Sequence, residues 1–473
     1  MQMRSIRSFL VCLLLLTLGA SLACSGSKGP KRPKRTVLLT TGDDARAGRE
    51  AAQSVQAEIG LLDNPELVAY VQKIGKKLLR GLPRRDFAYH FSIVDQMEPN
   101  AFALPGGYIF ISRGLMALAN SEDELACVIG HEIVHVARRH SAQQQAITRY
   151  NKAFAPRFGG AREMAAYGRD MEREADALGQ QLAAAAGYDP MGMSTFMRRL
   201  DQRERLLIGA PRRATFYDTH PGSRERATVT AMRSRELRWI RDPELGDTRV
   251  RLLDHLDGMI IGDRPETGVF VGQLFMHPDL DFEIRFPKGW YTQNSGRMVG
   301  ATAPRGAAMV YLTADMPLGD LVELADGFVV KAKNDFGVKV TEKKKIRIGD
   351  IPAVRYGFEG GGVSARVTFF PFADMTWRIV GAAPSVAAKR YMGQILLTGR
   401  SFGPISDESR LQIQVKRMNV VLVRPGEDVI QLTARTGNAW TATETALMNG
   451  MLGNEVFEGG ELMKILRVEG LPK

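Results

Sequence analysis

The sequence predicts an α+β protein of several domains: a mostly helical domain with a small sheet, then a β-rich α+β domain, then a short βααβ unit. Three observations point there. The chain has 473 residues, roughly three domains at about 150 residues each. Apolar residues recur at helical spacing between residues 64 and 187 and in alternation between 275 and 400, the periods of amphipathic helices and half-buried strands. Apolar residues make up 44% of the chain and charged residues 25%, a balance that excludes disordered, collagenous and multi-span membrane proteins. The formal charge of +12 is uneven. Residues 1–42 hold seven Lys/Arg and no Asp/Glu, leaving 57 basic against 52 acidic residues beyond them. Such an excess at one end does not make a basic face on a folded domain, so no nucleic-acid partner is expected.

Residues 1–23 read as an export signal. Arg4 and Arg7 precede the apolar run Phe9 to Leu18, and small residues follow at Ala20–Ala23. A run of about ten is too short for a bilayer span, which takes roughly twenty. Ser21-Leu22-Ala23-Cys24 resembles a bacterial lipobox, with Ser21 where Leu is usual, so lipidation at Cys24 and ordinary cleavage after Ala23 both stay open. By resemblance to lipoprotein sorting, Ser25 favours the outer membrane, and the expected address is the periplasm with a lipid anchor through Cys24. Residues 24–42, with Lys28, Lys31, Arg32, Lys34 and Arg35 among Gly29, Pro30 and Pro33, read as a solvated tether that can touch anionic headgroups. Apart from Cys12 and Cys24, only Cys127 remains. No intrachain disulfide is expected, and Cys127 reads as a small core residue on an apolar helix.

Residues 43–262 form the first domain. Asp63-Asn64-Pro65 starts a helix with Leu67, Val71, Ile74 and Leu78 on one face. Phe87–Val94 alternates as a strand, with His90 on the exposed side. The central feature is His131-Glu132-Ile133-Val134-His135. Residues four apart on a helix differ by about 40°, so both imidazoles face one way and can share a metal. Glu132 is turned about 100° from His131, beside the place of a metal-bound water. Ser121-Glu122-Asp123-Glu124 reads as a capping box, and Leu125, Val128, Ile129 and Val134 as the apolar stripe. His140, if the helix continues, faces solvent or a salt link. A second helix over residues 162–187 carries Glu172-Arg173-Glu174-Ala175-Asp176. Glu172 and Asp176 share a face, and Ala175 and Gly179 let this helix approach the first closely. Glu172 is the expected third metal ligand, Asp176 the partner of a ligand imidazole, and Glu174 a solvated side chain. His255 and His277 have no partner at ligand spacing and read as structural.

These residues resemble the gluzincin metallopeptidases of the HtpX, CAAX prenyl protease and BepA type. Asn100 to Ile111 is similar to that family's strand pair ahead of the zinc helix, and Thr219-His220-Pro221 with Ser223 and Arg226 to its downstream motif. The likeness covers roughly residues 43–250, and the chain resembles the exported members without hydrophobic spans. It implies a zincin-type metalloprotease fold, one Zn2+ per chain on His131, His135 and Glu172, and Glu132 as the catalytic base. Asn100, Ala101, Phe102, Gly106 and Gly107 lie on or beside an edge strand that can pair with an extended substrate backbone. The resemblance places His220 near the metal; it either stabilises the anionic tetrahedral intermediate or fills the open ligand position and holds the enzyme latent.

After a linker near Gly262–Pro265, residues 270–400 form the second domain. Strands are expected at Asp281–Phe286, Met309–Thr313, Ala365–Phe370 and Thr376–Val380, with a helix near Leu318–Asp335. It is similar to PsbP/Mog1-like folds, carries nothing that looks catalytic, and reads as a contact for a partner or substrate. Residues 411–473 resemble a LysM module. The supporting stretches are Val420–Val423, Pro425-Gly426-Glu427-Asp428, Leu447-Met448-Asn449 and Leu462–Leu466. Glu427-Asp428 departs from the usual glycan-binding pattern, so peptidoglycan binding and a purely structural module are both open. No tetratricopeptide-type repeat is found. The expected function is a zinc endopeptidase of the bacterial cell envelope acting on unfolded or misassembled envelope proteins. The alternative is an envelope chaperone or scaffold, or a peptidoglycan-binding protein, with a latent zinc site.

Overall fold

The computed structural model describes residues 40–144, 160–206, 216, 220, 223–295, 298–451 and 455–471. The stretches expected as export signal and tether, Cys24 included, lie outside them except for residues 40–42, as do Thr219 and Pro221. The described residues form two compact units: 40–262 with 416–469, and 263–415 with 470–471.

In the first unit, α1 (Thr41–Glu58) and α2 (Pro65–Leu78) precede β1 (His90–Val94), β2 (Ala101–Leu104) and β3 (Tyr108–Ser112). Then come α3 (Arg113–Leu118), α4 (Glu122–Ala137), α5 (Gly160–Ala185), α6 (Gly192–Leu206), α7 (Ser223–Glu236) and α8 (Thr248–Leu256). Asn64 caps α2 through its side chain, which accepts from Leu67 N, and Leu67, Val71, Ile74 and Leu78 are buried. The small sheet runs β1-β3-β2, with β1 parallel and β2 antiparallel to β3, so β2 is an edge strand. The β2–β3 turn needs Gly107, which has φ +103° and whose Cβ would stand 2.0 Å from Ala88 O.

α4 is buried almost all round, the signature of a core helix rather than a surface one. Ser121 Oγ accepts from Glu124 N, but the box does not close as expected. The Glu124 carboxylate instead accepts from Asn120 N, Thr195 Oγ1 and the Arg199 guanidinium, because it is buried against α6 and takes the stronger partner. α5 lies against α4 where both helices have glycine. A Cβ on Gly179 would be 2.8 Å from His131 N, and one on Gly130 2.9 Å from Gly179 O. Cys127 is buried and free, and burial pushes its thiol pKa well up.

The second unit holds a three-stranded sheet, β4 (Val269–Val271), β5 (Leu274–His277) and β6 (Phe282–Arg285), and a seven-stranded antiparallel one. The larger sheet contains β7 (Tyr291–Ser295), β8 (Met298–Thr302), β9 (Met309–Pro317), β10 (Lys339–Ile348), β11 (Ile351–Gly360), β12 (Val363–Phe372) and β13 (Met375–Pro384), in the order β10-β11-β12-β13-β9-β8-β7. α9 (Leu321–Phe336) and α10 (Ala388–Arg400) cover opposite faces: Ala325 and Ala332 pack with Val354, Tyr356 and Phe358, Ile395 with Ala353 and Phe370. After the short α11 (Asp407–Leu411), the chain re-enters the first unit. There β14 (Gln414–Leu422), α12 (Val429–Thr436), α13 (Ala442–Asn449) and β15 (Leu462–Gly470) follow in βααβ order, with β14 and β15 paired. Met418, Trp440 and Leu466 from this segment join the core built by α2, α4 and α6. Among the described residues, no helix is long and apolar enough to cross a membrane.

Candidate active site

α4 carries His131, Glu132 and His135 inward, all but His135 wholly buried. The two Nε2 atoms stand 2.9 Å apart. Each ring's other nitrogen is engaged: His131 Nδ1 faces Asp176 Oδ1 at 3.0 Å, and His135 Nδ1 faces His140 Nδ1 at 3.0 Å. Glu172, from α5, sets its carboxylate oxygens 3.5 Å from each Nε2. His220 completes the group, and ligand atoms of His131, His135, Glu172 and His220 all lie within 4.8 Å of one another. Converging Nε2 lone pairs over a buried carboxylate are what a divalent ion of the zinc type takes, so the donor set fits that metal.

Arg226, on α7, ties the group together. Its guanidinium donates twice to Asp176, at 2.8 and 2.7 Å, and once to the His220 carbonyl at 3.0 Å. Nη1 also lies 2.9 Å from Glu172 Oε2. Phe216 stacks on the His220 ring at 4.1 Å, and its N–H donates to Pro99 O just ahead of β2.

Burial and close charges set the protonation of each side chain in the site. Burial opposes a charge on His131, yet Asp176 and Glu172 outweigh it and raise its pKa to about 9. Burial would raise Asp176, but Arg226 and His131 hold its carboxyl well below the usual range. His135 is pushed well down by burial and the neighbouring His131 and His220. His220 is lowered to about 4, chiefly by burial. Glu132 goes the other way. Burial raises it to about 7 against the pull of His131, and the Ala103 N–H on β2 favours its charged form. A carboxyl poised near neutrality beside a nitrogen cluster suits proton transfer. Its Oε1 is 3.5 Å from His220 Nε2.

The expected edge-strand residues lie on and beside β2. Ala101 and Phe102 are on β2, Asn100 precedes it, and Gly106 and Gly107 form the turn. A narrow cleft with about 10 Å³ of free space lies beside His135, lined by Phe87, Ala103, Leu104, Gly106, Arg139 and Asp44 among others. Arg139 is ion-paired with Asp44 of α1. Of its two expected places, solvent or a salt link, His140 takes the salt link: it is buried, 3.5 Å from Glu174, and also 3.0 Å from His135. α4 ends at Ala137, and Arg139 adopts φ +56°, so the helical projection fails there and the ring folds back. Glu174, expected in solvent, pairs with Arg138 at 3.1 Å while staying partly exposed. The roles of His140 and Phe216 had no periodic signal to reveal them. His90 is exposed and stacks on Tyr108, His255 lies against Tyr70, and His277 accepts from Leu280 N.

Residues 65–234 match the model of Peptidase family M48. The chain is 28% identical over 200 residues to the mitochondrial metalloendopeptidase OMA1 of Schizosaccharomyces pombe, covering 39% of this chain and 58% of that one. It is 27% identical over 224 residues to the beta-barrel assembly-enhancing protease of Escherichia coli strain K12 (42% and 45%). It is 32% identical over 223 residues to the OMA1 metalloendopeptidase of Arabidopsis thaliana (44% and 43%). The chain thus spans about half the length of these relatives. The matched model is that of a peptidase family, and the relatives are named as metalloendopeptidases and a protease. The solution structure of cyanobacterial PsbP from Synechocystis aligns with 29% of this chain and 95% of its own at 7% identity, with a TM-score of 0.25, too low to assign a fold.

Proposed function

We propose that the chain is a zinc-dependent endopeptidase of the bacterial cell envelope that hydrolyses peptide bonds of misassembled envelope or outer-membrane proteins. The observation that carries this reading is the convergence of His131, His135, Glu172 and His220 on one point, with Glu132 beside it and an edge strand alongside. A bound zinc would supply a Lewis acid and a water acidified to a pKa near 7. The protein's own groups do the rest. β2 lies at the edge of its sheet, where an extended substrate can pair. Glu132 accepts a proton from the attacking water and returns it to the leaving amine. Arg226 and Asp176 keep the ligands aimed. The envelope address, the lipid anchor at Cys24 and the choice of misassembled substrates rest on the export signal and on relatives named beta-barrel assembly-enhancing protease. The second reading, a latent site, is favoured by one observation: His220 itself stands in the donor group.

Purified full chain loaded with zinc is expected to cleave casein, to stop on chelation, and to recover on zinc addition. Glu132→Gln should retain zinc and lose cleavage by about a hundredfold or more, the range of a general acid–base group. Turnover by that variant at the wild-type rate would take Glu132 out of the reaction. A zinc-loaded wild type that never cleaves, beside a His220→Ala variant that does, would establish the latent reading.

A further inference from the structure

Lys464, on β15, is the most deeply placed cation among the described residues outside the metal centre, with no solvent exposure. Its ammonium donates to Ala117 O at 2.8 Å and Ala119 O at 2.9 Å. Those carbonyls belong to the end of α3 and the link into α4, just ahead of the Ser121 cap. The backbone of Lys464 is gripped on both sides by Asn449, whose Oδ1 accepts from Lys464 N and whose Nδ2 donates to Lys464 O. Arg249 of α8 bridges the same point, donating to Asn120 Oδ1 at 2.9 Å, Asn449 Oδ1 at 3.2 Å and Leu462 O at 3.0 Å. Main-chain bonds extend the seam: Gly258 N to Met418 O, Met418 N to Met259 O and Ile261 N to Lys416 O.

We propose that the βααβ segment is an intramolecular brace for α4, and that Lys464 is a positioning residue that fixes the 117–121 link and hence the register of His131, Glu132 and His135. A buried ammonium is kept only where its hydrogen bonds are satisfied, and here both visible acceptors are on the link. α4 runs from that link to His131 in about three turns, so a shift at its start is carried to the catalytic side chains. Displacements of about an ångström at a reacting centre suffice for large rate losses. The segment is thereby assigned a partner within its own chain.

The test uses the full chain. In Lys464→Met, amides of residues 119–125 should exchange with deuterium at least about tenfold faster, while those of the second unit stay at the wild-type rate. The kcat per bound zinc on a casein peptide should fall about tenfold or more, with KM and zinc stoichiometry unchanged. A role in stability alone would lower the melting temperature and leave kcat per zinc untouched, and that result overturns the positioning role. Wild-type exchange at 119–125 overturns the brace itself. If Lys464→Met does not fold, Arg249→Lys, which keeps the charge and loses the fork, is read on the same two measurements. The kinetic arm rests on the proposed peptidase activity. A wild type without turnover would sink that activity, and the exchange comparison then decides the brace alone.

Discussion

Four nitrogen and oxygen donors converge because a single arginine organises their surroundings. Arg226 spends its fork on Asp176, which faces His131 Nδ1, and its remaining amine on Glu172 and the His220 carbonyl. Buried carboxylates so close together would repel without it, and burial would draw their pKa values up. Arg226→Gln should therefore weaken zinc binding by about 10- to 100-fold, read as competition with a chromogenic chelator. Arg226→Lys should recover little, since one ammonium cannot hold two carboxylates and a carbonyl in fixed directions. Wild-type affinity in both variants would show that the ligands hold their own geometry. At this scale the sequence was most informative for the α4 histidines and Glu172, whose four-residue spacing is a direct consequence of helix pitch. It allowed His140 a salt link but did not bring it against His135, because nothing in the sequence announces that Arg139 reverses the chain.

The α4–α5 contact depends on two glycines rather than on long side chains. Gly130 and Gly179 bring the two backbones to the distance at which Glu172 reaches both imidazoles. Gly179→Ala puts a methyl 2.8 Å from His131 N; overpacking of that kind costs about 1–3 kcal/mol, more than the roughly 1 kcal/mol gained in helix propensity. Gly168→Ala, on the same helix with nothing within 4 Å, keeps only the gain. The Gly179 variant should melt several degrees below wild type and lose zinc affinity, while the Gly168 variant melts at or above it. Equal midpoints would mean that α5 tolerates a wider spacing. Elements with one apolar face, α2 among them, were readable from period, and α4, buried almost all round, from its Ser121 cap and the spacing of its histidines. β10 was not. Lys339, Lys343, Lys344, Lys345 and Arg347 give it no apolar alternation, since it lies at a sheet edge where lysines block further pairing. β14 begins at Gln414, six residues before the expected strand at Val420, for a related reason: its partners along 258–262 supply backbone bonds rather than a patterned apolar face.

For the molecule as a whole, the unexpected feature is that a segment read as a separate C-terminal module shares the core of the peptidase unit. Hydrophobic patterning could not show this, because Met418, Trp440 and Leu466 look like the interior of a small module whichever core they enter. Lys464 supplies a thermodynamic handle. Burial lowers its pKa well below the ordinary lysine value, Arg199 and Arg249 push the same way, and Glu124 opposes them. In the unfolded chain the ammonium titrates near about 10.4. Between the depressed folded value and that point, the unfolded chain binds the extra proton, so stability rises with pH and levels off above about 10.4. Cys127 acts in the opposite sense: its raised pKa lets the folded thiol keep a proton that the unfolded chain releases. That term is common to wild type and Lys464→Met and cancels in their difference. Urea unfolding of both proteins from pH 7 to pH 10 should therefore show wild type gaining on the variant as pH rises, by up to about 1.4 kcal/mol per pH unit within the window. Parallel curves would mean that Lys464 titrates in the fold as it does in water, and that its seat against Ala117 and Ala119 is open to solvent.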